Sequence, residues 1–305
     1  MHLSNIEKEQ MEVADTVSEY IRVLRDIIDR GGPDVSEYEY LKHIPKGIND
    51  LKLSEQLEIF EMRKVLFVDD SMIGFTFNKP HGYAGDFELI DRIYSKRKSK
   101  NINLYKWDKF YHDMEGARAV RNRKDYFKHL AIHTENKNKE ARVLNLGSGP
   151  CVDLLEFLRT KRNHTLKIEC LDMDQNAIDF GSTVCDNYTN NIKFIKENAL
   201  KFYPDYQYDL IWSAGLFDYF NDKIFIRVVR KIYELVISGG ELVIGNFSTY
   251  NPSRAVMEHY CQWYLYHRSE DTLIDLAIKA GVPKEQITVS QEGIGVNLFL
   301  HLRKQ

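Results

Sequence analysis

Apolar positions along the chain follow two regimes. Up to about residue 140 they recur at helical spacing. A stripe runs through Met11, Val13, Val17, Tyr20, Ile21, Leu24 and Ile27, which steps along one face of a helix. Ser4 with Glu7 forms a capping-box pattern ahead of it, and Gly31-Gly32-Pro33 closes it. A second helix is predicted from near Ser54 through Leu57, Phe60 and Met62, and further helices over residues 87–97, 104–114 and 117–134. The polar, glycine-bearing loop NKPHGYAGD, residues 78–86, interrupts this helical region, and ENKNKE, residues 135–140, reads as a linker.

From Ala141 the pattern changes to short apolar runs separated by amphipathic ones. Strands are predicted over residues 142–146, 166–171, 192–197, 208–213 and 241–246, with helices over 151–158, 175–184 and 222–236 between them. Alternation of this kind implies a parallel sheet with right-handed crossovers. Helices follow over 253–266 and 269–280. Residues 286–290, a Glu292-Gly293 turn and 296–302 then read as a closing hairpin, so the last strand is expected antiparallel. The expected organisation is a helical domain over residues 1–134 and an α/β domain over 135–305.

Composition narrows this little. The chain has 305 residues, long enough for one large and one smaller domain, with a net charge of −3. That balance gives no general electrostatic footprint for nucleic acid. The four cysteines, Cys151, Cys170, Cys185 and Cys261, have no C-x-x-C spacing and read as buried apolar residues in a reducing compartment, not as metal ligands. The first ten residues are polar and carry no signal-peptide pattern. No apolar run approaches the roughly 18 residues of a membrane span. The expectation is a cytoplasmic protein acting on a small-molecule substrate, with no nucleic-acid partner and no membrane insertion.

Candidate chemistry begins at ARVLNLGSGPCVDLLEFL, residues 141–158. A buried strand runs into Gly147-Ser148-Gly149 and turns at once into a helix. Glycines there accept positive φ and let a ligand approach the backbone. The helix start adds unpaired N–H groups. The spacing is G-x-G without the third glycine of the dinucleotide fingerprint, and a tight turn needs glycine whether or not it binds anything. Asp172 ends the second strand, where an acid can bond a ribose diol. Asp174, just before a helical pattern, reads as the cap. Asn198-Ala199 ends the third strand and suits either an adenine edge or a plain turn. Ser213-Ala214-Gly215 ends the fourth strand with small residues that leave room for a ligand.

These pieces in this order resemble class I S-adenosylmethionine-dependent methyltransferases over roughly residues 115–305. LNLGSG corresponds to the glycine motif, LDMD to the ribose acid, ENAL to the adenine loop, YDLIWSAGLFDYF to the fourth-strand motif and ISGGELVI to the turn and strand that follow. The resemblance implies a Rossmann-like seven-stranded sheet with the last strand antiparallel, and S-adenosyl-L-methionine as cofactor. It implies a cofactor site of Asn145, Gly147, Ser148, Gly149, Asp172, Met173, Asn198, Ala199, Ser213, Ala214 and Gly215. Asn145 and Asn198 stand where the family often has acids, which removes charge but keeps hydrogen-bonding capacity. KPHGYAGDFELIDRIY, ARAVRNRKDYF, SAGLFDYF and NPSRAVMEHYCQWYLYHR further resemble the bacterial family of extracellular-factor 3-hydroxypalmitic acid methyl ester biosynthesis proteins. That resemblance covers residues 79–270 and implies a 3-hydroxy fatty acid substrate.

Five residues are candidates for substrate contact or catalysis. Tyr83 lies in the HGYAGD loop, which alternatively only turns the chain. Arg123 lies in AVRNRKDYF, where it and Arg121 do not share a helix face. Tyr219 follows the fourth-strand motif. Arg254 comes just after Ser253, the expected cap of its helix. His267 ends a Tyr260, Trp263, His267 spacing that reads as one helical face, either a core face or an aromatic wall. Arg268 is a further candidate clamp. The chain offers arginines but no clear catalytic dyad. That favours methylation of a carboxylate, which is already ionised at neutral pH. An amine or hydroxyl acceptor would need a base. A non-methylating use of the same cofactor is a further alternative.

Overall fold

The computed structural model describes residues 17–45, 48 and 51–305. The Ser4–Glu7 capping pattern and the first positions of the apolar stripe, Met11 and Val13, lie outside the described residues. Among the described residues seven α-helices precede the first strand: α1 (Val17–Asp29), α2 (Tyr38–Lys42), α3 (Leu53–Arg63), α4 (Met72–Asn78), α5 (Phe87–Ser95), α6 (Ile102–Asp113) and α7 (Glu115–Lys137). Then follow β1 (Arg142–Leu146), α8 (Val152–Thr160), β2 (Lys167–Asp172), α9 (Gln175–Val184), β3 (Ile192–Lys196), β4 (Tyr208–Ser213), α10 (Asp222–Glu234) and β5 (Val236–Phe247). The chain closes with α11 (Arg254–Cys261), α12 (Glu270–Lys279), β6 (Ile287–Gln291) and β7 (Asn297–Arg303).

The chain forms two compact units that interleave along the sequence. The helical unit comprises the described parts of Met1–Gly85 with Ser95–Ala117 and Pro252–Tyr264; the sheet unit comprises Asp86–Tyr94, Arg118–Asn251 and Leu265–Gln305. Residue 134 falls within α7, which runs unbroken to Lys137.

In the helical unit the stripe on α1 buries Tyr20, Leu24 and Ile27. The Tyr20 and Tyr260 hydroxyls meet at 2.6 Å, and Trp107 packs beside Tyr260. Buried Asp108 accepts the Met72 and Ser99 N–H groups at 2.8 and 2.6 Å. A buried carboxylate is tolerated when N–H donors reach it in this way.

In the sheet unit seven strands run in the order β3-β2-β1-β4-β5-β7-β6. The first five are parallel, and β7 is antiparallel to both β5 and β6. This is the seven-stranded sheet expected, with the final strand reversed. The strands are apolar on both sides because both faces are covered. One face packs Leu144, Ile211, Phe217, Phe225 and Val229. The other packs Val143, Leu154, Phe157, Trp212 and Phe299, joined by Phe127 and Ala131 of α7.

The sequence misjudges the segment after β5. A helix is expected over 253–266, but α11 stops at Cys261, where Gln262 takes a left-handed conformation with φ 48°. Tyr260, Trp263 and His267 therefore do not share a helical face. Tyr260 and Trp263 are buried in the helical unit, and His267 belongs to the sheet unit. Ser253 makes no capping bond to α11; its hydroxyl accepts the Gly116 N–H at 2.8 Å.

Candidate functional site

The strand order reverses between β1 and β4. In an open α/β sheet, the crevice beyond the carboxyl ends of the strands at that point is where ligands bind. All contacts in this cleft described below lie within the sheet unit. β1 ends in a turn whose Gly147 and Ser148 N–H groups both donate to Leu171 O, at 2.8 and 3.1 Å. Gly147 has φ 66° and Gly149 φ 52°, a region that costs a residue bearing a Cβ. A Cβ on Gly147 would lie 3.0 Å from Leu216 Cβ, whereas one on Gly149 would meet nothing within 4 Å. Space for a ligand therefore lies over Gly149.

Asp172, at the end of β2, faces the same turn. Its two carboxylate oxygens accept the Gly149 and Asp174 N–H groups, each at 3.0 Å. Burial pushes its carboxyl above the usual range, and these N–H bonds work against that shift. Asp174 caps α9 by accepting the Asn176 N–H at 2.9 Å, leaving Asp172 for the turn and a ligand. Asn145 is 1% exposed and its amide nitrogen has no partner; the Ser148 hydroxyl is likewise buried and unpartnered. Leaving such groups unpaired costs about 1–3 kcal/mol each. Two orphans within three residues of the glycine turn mark it as a place built for a polar ligand.

The remaining cofactor candidates divide. Asn198 Oδ1 accepts the Leu200 N–H at 2.8 Å, so its oxygen serves a local turn and its NH2 remains as a donor. Ala199 is partly buried against the core, and Met173 is exposed. Ser213 is fully buried and its hydroxyl donates to Leu146 O at 2.9 Å, tying β4 to β1; its one donor is committed there. Ala214 and Gly215 serve Arg123. Ala214 O accepts Arg123 Nη1 at 2.9 Å, and a Cβ on Gly215 would lie 2.6 Å from that same nitrogen.

Arg123 comes from α7 and is buried, between two buried acids that the sequence does not single out. Asp218 Oδ2 lies 3.9 Å from its Nη1, and Asp218 Oδ1 accepts the Phe247 N–H at 2.7 Å. Burial pushes the Asp218 carboxyl up to about 7, with the Arg123 charge the largest opposing influence. Asp153, on the first turn of α8, accepts Trp212 Nε1 at 3.0 Å; burial raises it too. In sequence both acids resemble ordinary solvated charges, and only the three-dimensional packing shows them enclosed.

Two candidate groups have their polar atoms engaged within the fold. His267 pairs Nδ1 with Leu265 O and Nε2 with Asn251 Nδ2, both at 3.1 Å. A neutral ring with its proton on Nδ1 satisfies both bonds, a tautomer assigned from its partners. Arg268 is 3% exposed. It donates to Asn246 Oδ1 at 2.8 Å, Phe220 O at 2.5 Å and Asp222 Oδ1 at 2.9 Å. Its planar fork is consumed in joining the ends of β4 and β5, so it is not a substrate clamp. Tyr219 is 37% exposed on the turn after β4. Tyr83 and Arg254 belong to the helical unit. Tyr83 is partly exposed between Gly82 and Gly85, which both take positive φ, and Arg254 pairs with Glu258 at 2.7 Å on the surface of α11.

Residues 143–240 match the family model of a methyltransferase domain. Malonyl-(acyl-carrier protein) O-methyltransferase 1 of Ilyobacter polytropus is 26% identical over 136 residues, covering 43% of this chain and 49% of the relative. The chain thus spans about half the length of that curated relative. The crystal structure of a possible exported protein from Bordetella parapertussis superposes with a TM-score of 0.61 at 17% identity, over 99% of each chain. The apo structure of the S-adenosylmethionine-dependent methyltransferase SibL superposes with a TM-score of 0.50 at 14% identity, over 77% of this chain and 73% of the other. These structural likenesses establish the fold.

Residues 143–240 are thus similar in sequence to a methyltransferase domain. The residues would fit S-adenosylmethionine, because a ribose diol donates and Asp172 accepts. The orphaned amide of Asn145 and hydroxyl of Ser148 suit its amino-acid end.

Proposed function

We propose that the protein methylates the carboxylate of a small, partly apolar acid, and that this acid is a 3-hydroxy fatty acid released as its methyl ester. The observation that carries this reading is His267. Both of its ring nitrogens are engaged within the protein, so the one candidate imidazole is occupied rather than poised as a base. A carboxylate acceptor needs none, since an ordinary carboxyl ionises near pH 4.

When bound, the cofactor supplies an electrophilic methyl group on a sulfonium. The protein's part is to align donor and acceptor, because an in-line displacement gains most of its rate from positioning. In this reading Asp172 holds the ribose, Asn145 and Ser148 hold the amino-acid end, and Asn198-Ala199 borders the adenine. Arg123 fixes the Ala214-Gly215 floor from behind and puts positive charge beside the cleft. Tyr219 contacts the substrate, and Tyr83 and Arg254 are proposed as further substrate contacts. The relative's name, an O-methyltransferase of a malonyl group, supports an oxygen acceptor on an acyl compound. We place the protein in the cytoplasm; among the described residues no helix is long and apolar enough to cross a membrane.

The test is the pH dependence of turnover in Asp218→Asn, which removes the one carboxyl of the loop that titrates near 7. The rate should stay flat from about pH 6 to 8, and adding His267→Ala should leave the shape of that profile unchanged. A rate that climbs through pH 7 and collapses with His267→Ala would establish a base and an amine or hydroxyl acceptor.

A further inference from the structure

The helical unit contains a cavity of about 390 Å³ between α3 and α11. Ile48, Leu53, Leu57 and Phe60 form its apolar wall, and Arg63 and His259 its polar end. Leu53, Leu57 and Phe60 are 72, 52 and 36% exposed, a run of large apolar side chains along one helix that faces water. Arg63 is 8% exposed. Its Nη1 donates to His259 O at 3.0 Å and its guanidinium lies 5.3 Å from the Tyr260 ring centre, but its Nε is buried without a partner. Among the described residues no carboxylate is paired with it.

His259 Nε2 is also buried without a partner. Burial first, and the Arg63 charge second, push this imidazole down to about 4. The ring is neutral at neutral pH and, with its proton on Nε2, presents a second donor. A guanidinium removed from water with no counter-charge is costly. So is a buried donor left unmade. One positive charge and two unmet donors at the end of an apolar cavity define a ligand: a single negative charge on a head with two acceptor oxygens, and a hydrocarbon tail.

We propose that this cavity binds a single-chain amphiphile with a carboxylate head, held by Arg63 Nε and His259 Nε2, with its tail along Ile48, Leu53, Leu57 and Phe60. The site is defined wholly within the helical unit and does not depend on what the protein methylates. A carboxylate matches the charge better than a phosphate monoester, which carries closer to two charges at neutral pH.

The test is calorimetric titration of the full chain with dodecanoate below its micelle concentration, with dodecanol and dodecylamine as head-group controls. Dodecanoate should bind at one saturable site, at least roughly tenfold tighter than either control, the scale expected of a charge-assisted hydrogen-bonded head. Arg63→Met should remove that preference. Leu57→Glu, at an exposed position where the fold is not at stake, should weaken dodecanoate by a similar factor. Thermal melts by circular dichroism show that each variant is folded. Absence of saturable dodecanoate binding overturns the proposal. So does equal binding of dodecylamine, or affinity for dodecanoate that neither variant changes.

Discussion

At the residue scale the cofactor turn depends on few groups. Asp172 accepts two backbone N–H groups of its own fold and keeps lone pairs for a ribose. Asp172→Ala should weaken S-adenosylhomocysteine by roughly 1–3 kcal/mol, as for a lost charged hydrogen bond; calorimetry that finds wild-type affinity would remove it from the site. Asp218 makes a different prediction. Its folded value of about 7 lies above the roughly 3.9 of an unfolded aspartate. Between those values the native state holds the extra proton, so the stability that Asp218 contributes is fully present below about pH 4 and is lost as pH rises through 7. Asp218→Asn keeps an oxygen for the Phe247 N–H and removes the charge. Its stability relative to wild type should therefore improve from pH 4 to 7, by a few kcal/mol at roughly 1.4 per pK unit. Urea unfolding at several pH values measures this, and a constant difference would show that Asp218 does not titrate there. The glycine turn and the Asp174 cap were legible because they obey local backbone rules. Asp218, Asp153 and the consumed fork of Arg268 were not, since burial depends on segments far apart in sequence.

At the element scale, periodicity located every strand of the parallel sheet to within a residue or two, except that β5 begins five residues earlier, at Val236. It failed where the chain ends a helix without a glycine or proline. Gln262 adopts the left-handed conformation that closes α11, and glutamine gives no such signal. α7 carries more than the sequence suggests. It delivers Arg123 to the cleft, and it buries Phe127 and Ala131 in the core of one sheet face. Phe127→Ala should cost about 3–5 kcal/mol, read as a lower urea midpoint at unchanged slope; a loss under 1 kcal/mol would mean that α7 is dispensable to the sheet.

At the scale of the whole molecule, the sequence separates a helical part from an α/β part, but not the way the chain weaves between them. Asp86–Tyr94 joins the sheet unit and Pro252–Tyr264 returns to the helical one. No composition shift marks either crossing, because a helix that packs on a sheet and one that packs on helices need the same apolar stripe. Two of the five residues proposed for substrate contact, Tyr83 and Arg254, consequently sit in a different unit from Arg123, Tyr219 and His267. The central claim is chemical, a methyl group placed on a carboxylate oxygen, and one measurement addresses it directly. The protein is incubated with S-adenosylmethionine carrying an isotopically labelled methyl group and with a 3-hydroxy fatty acid, which offers both a carboxylate and a hydroxyl. The product is examined by mass spectrometry before and after mild alkali. Labelled methyl that alkali releases as methanol, with stoichiometric S-adenosylhomocysteine, is the predicted result. Labelled methyl that survives as an ether, or that appears only on an amine offered in parallel, would contradict the account.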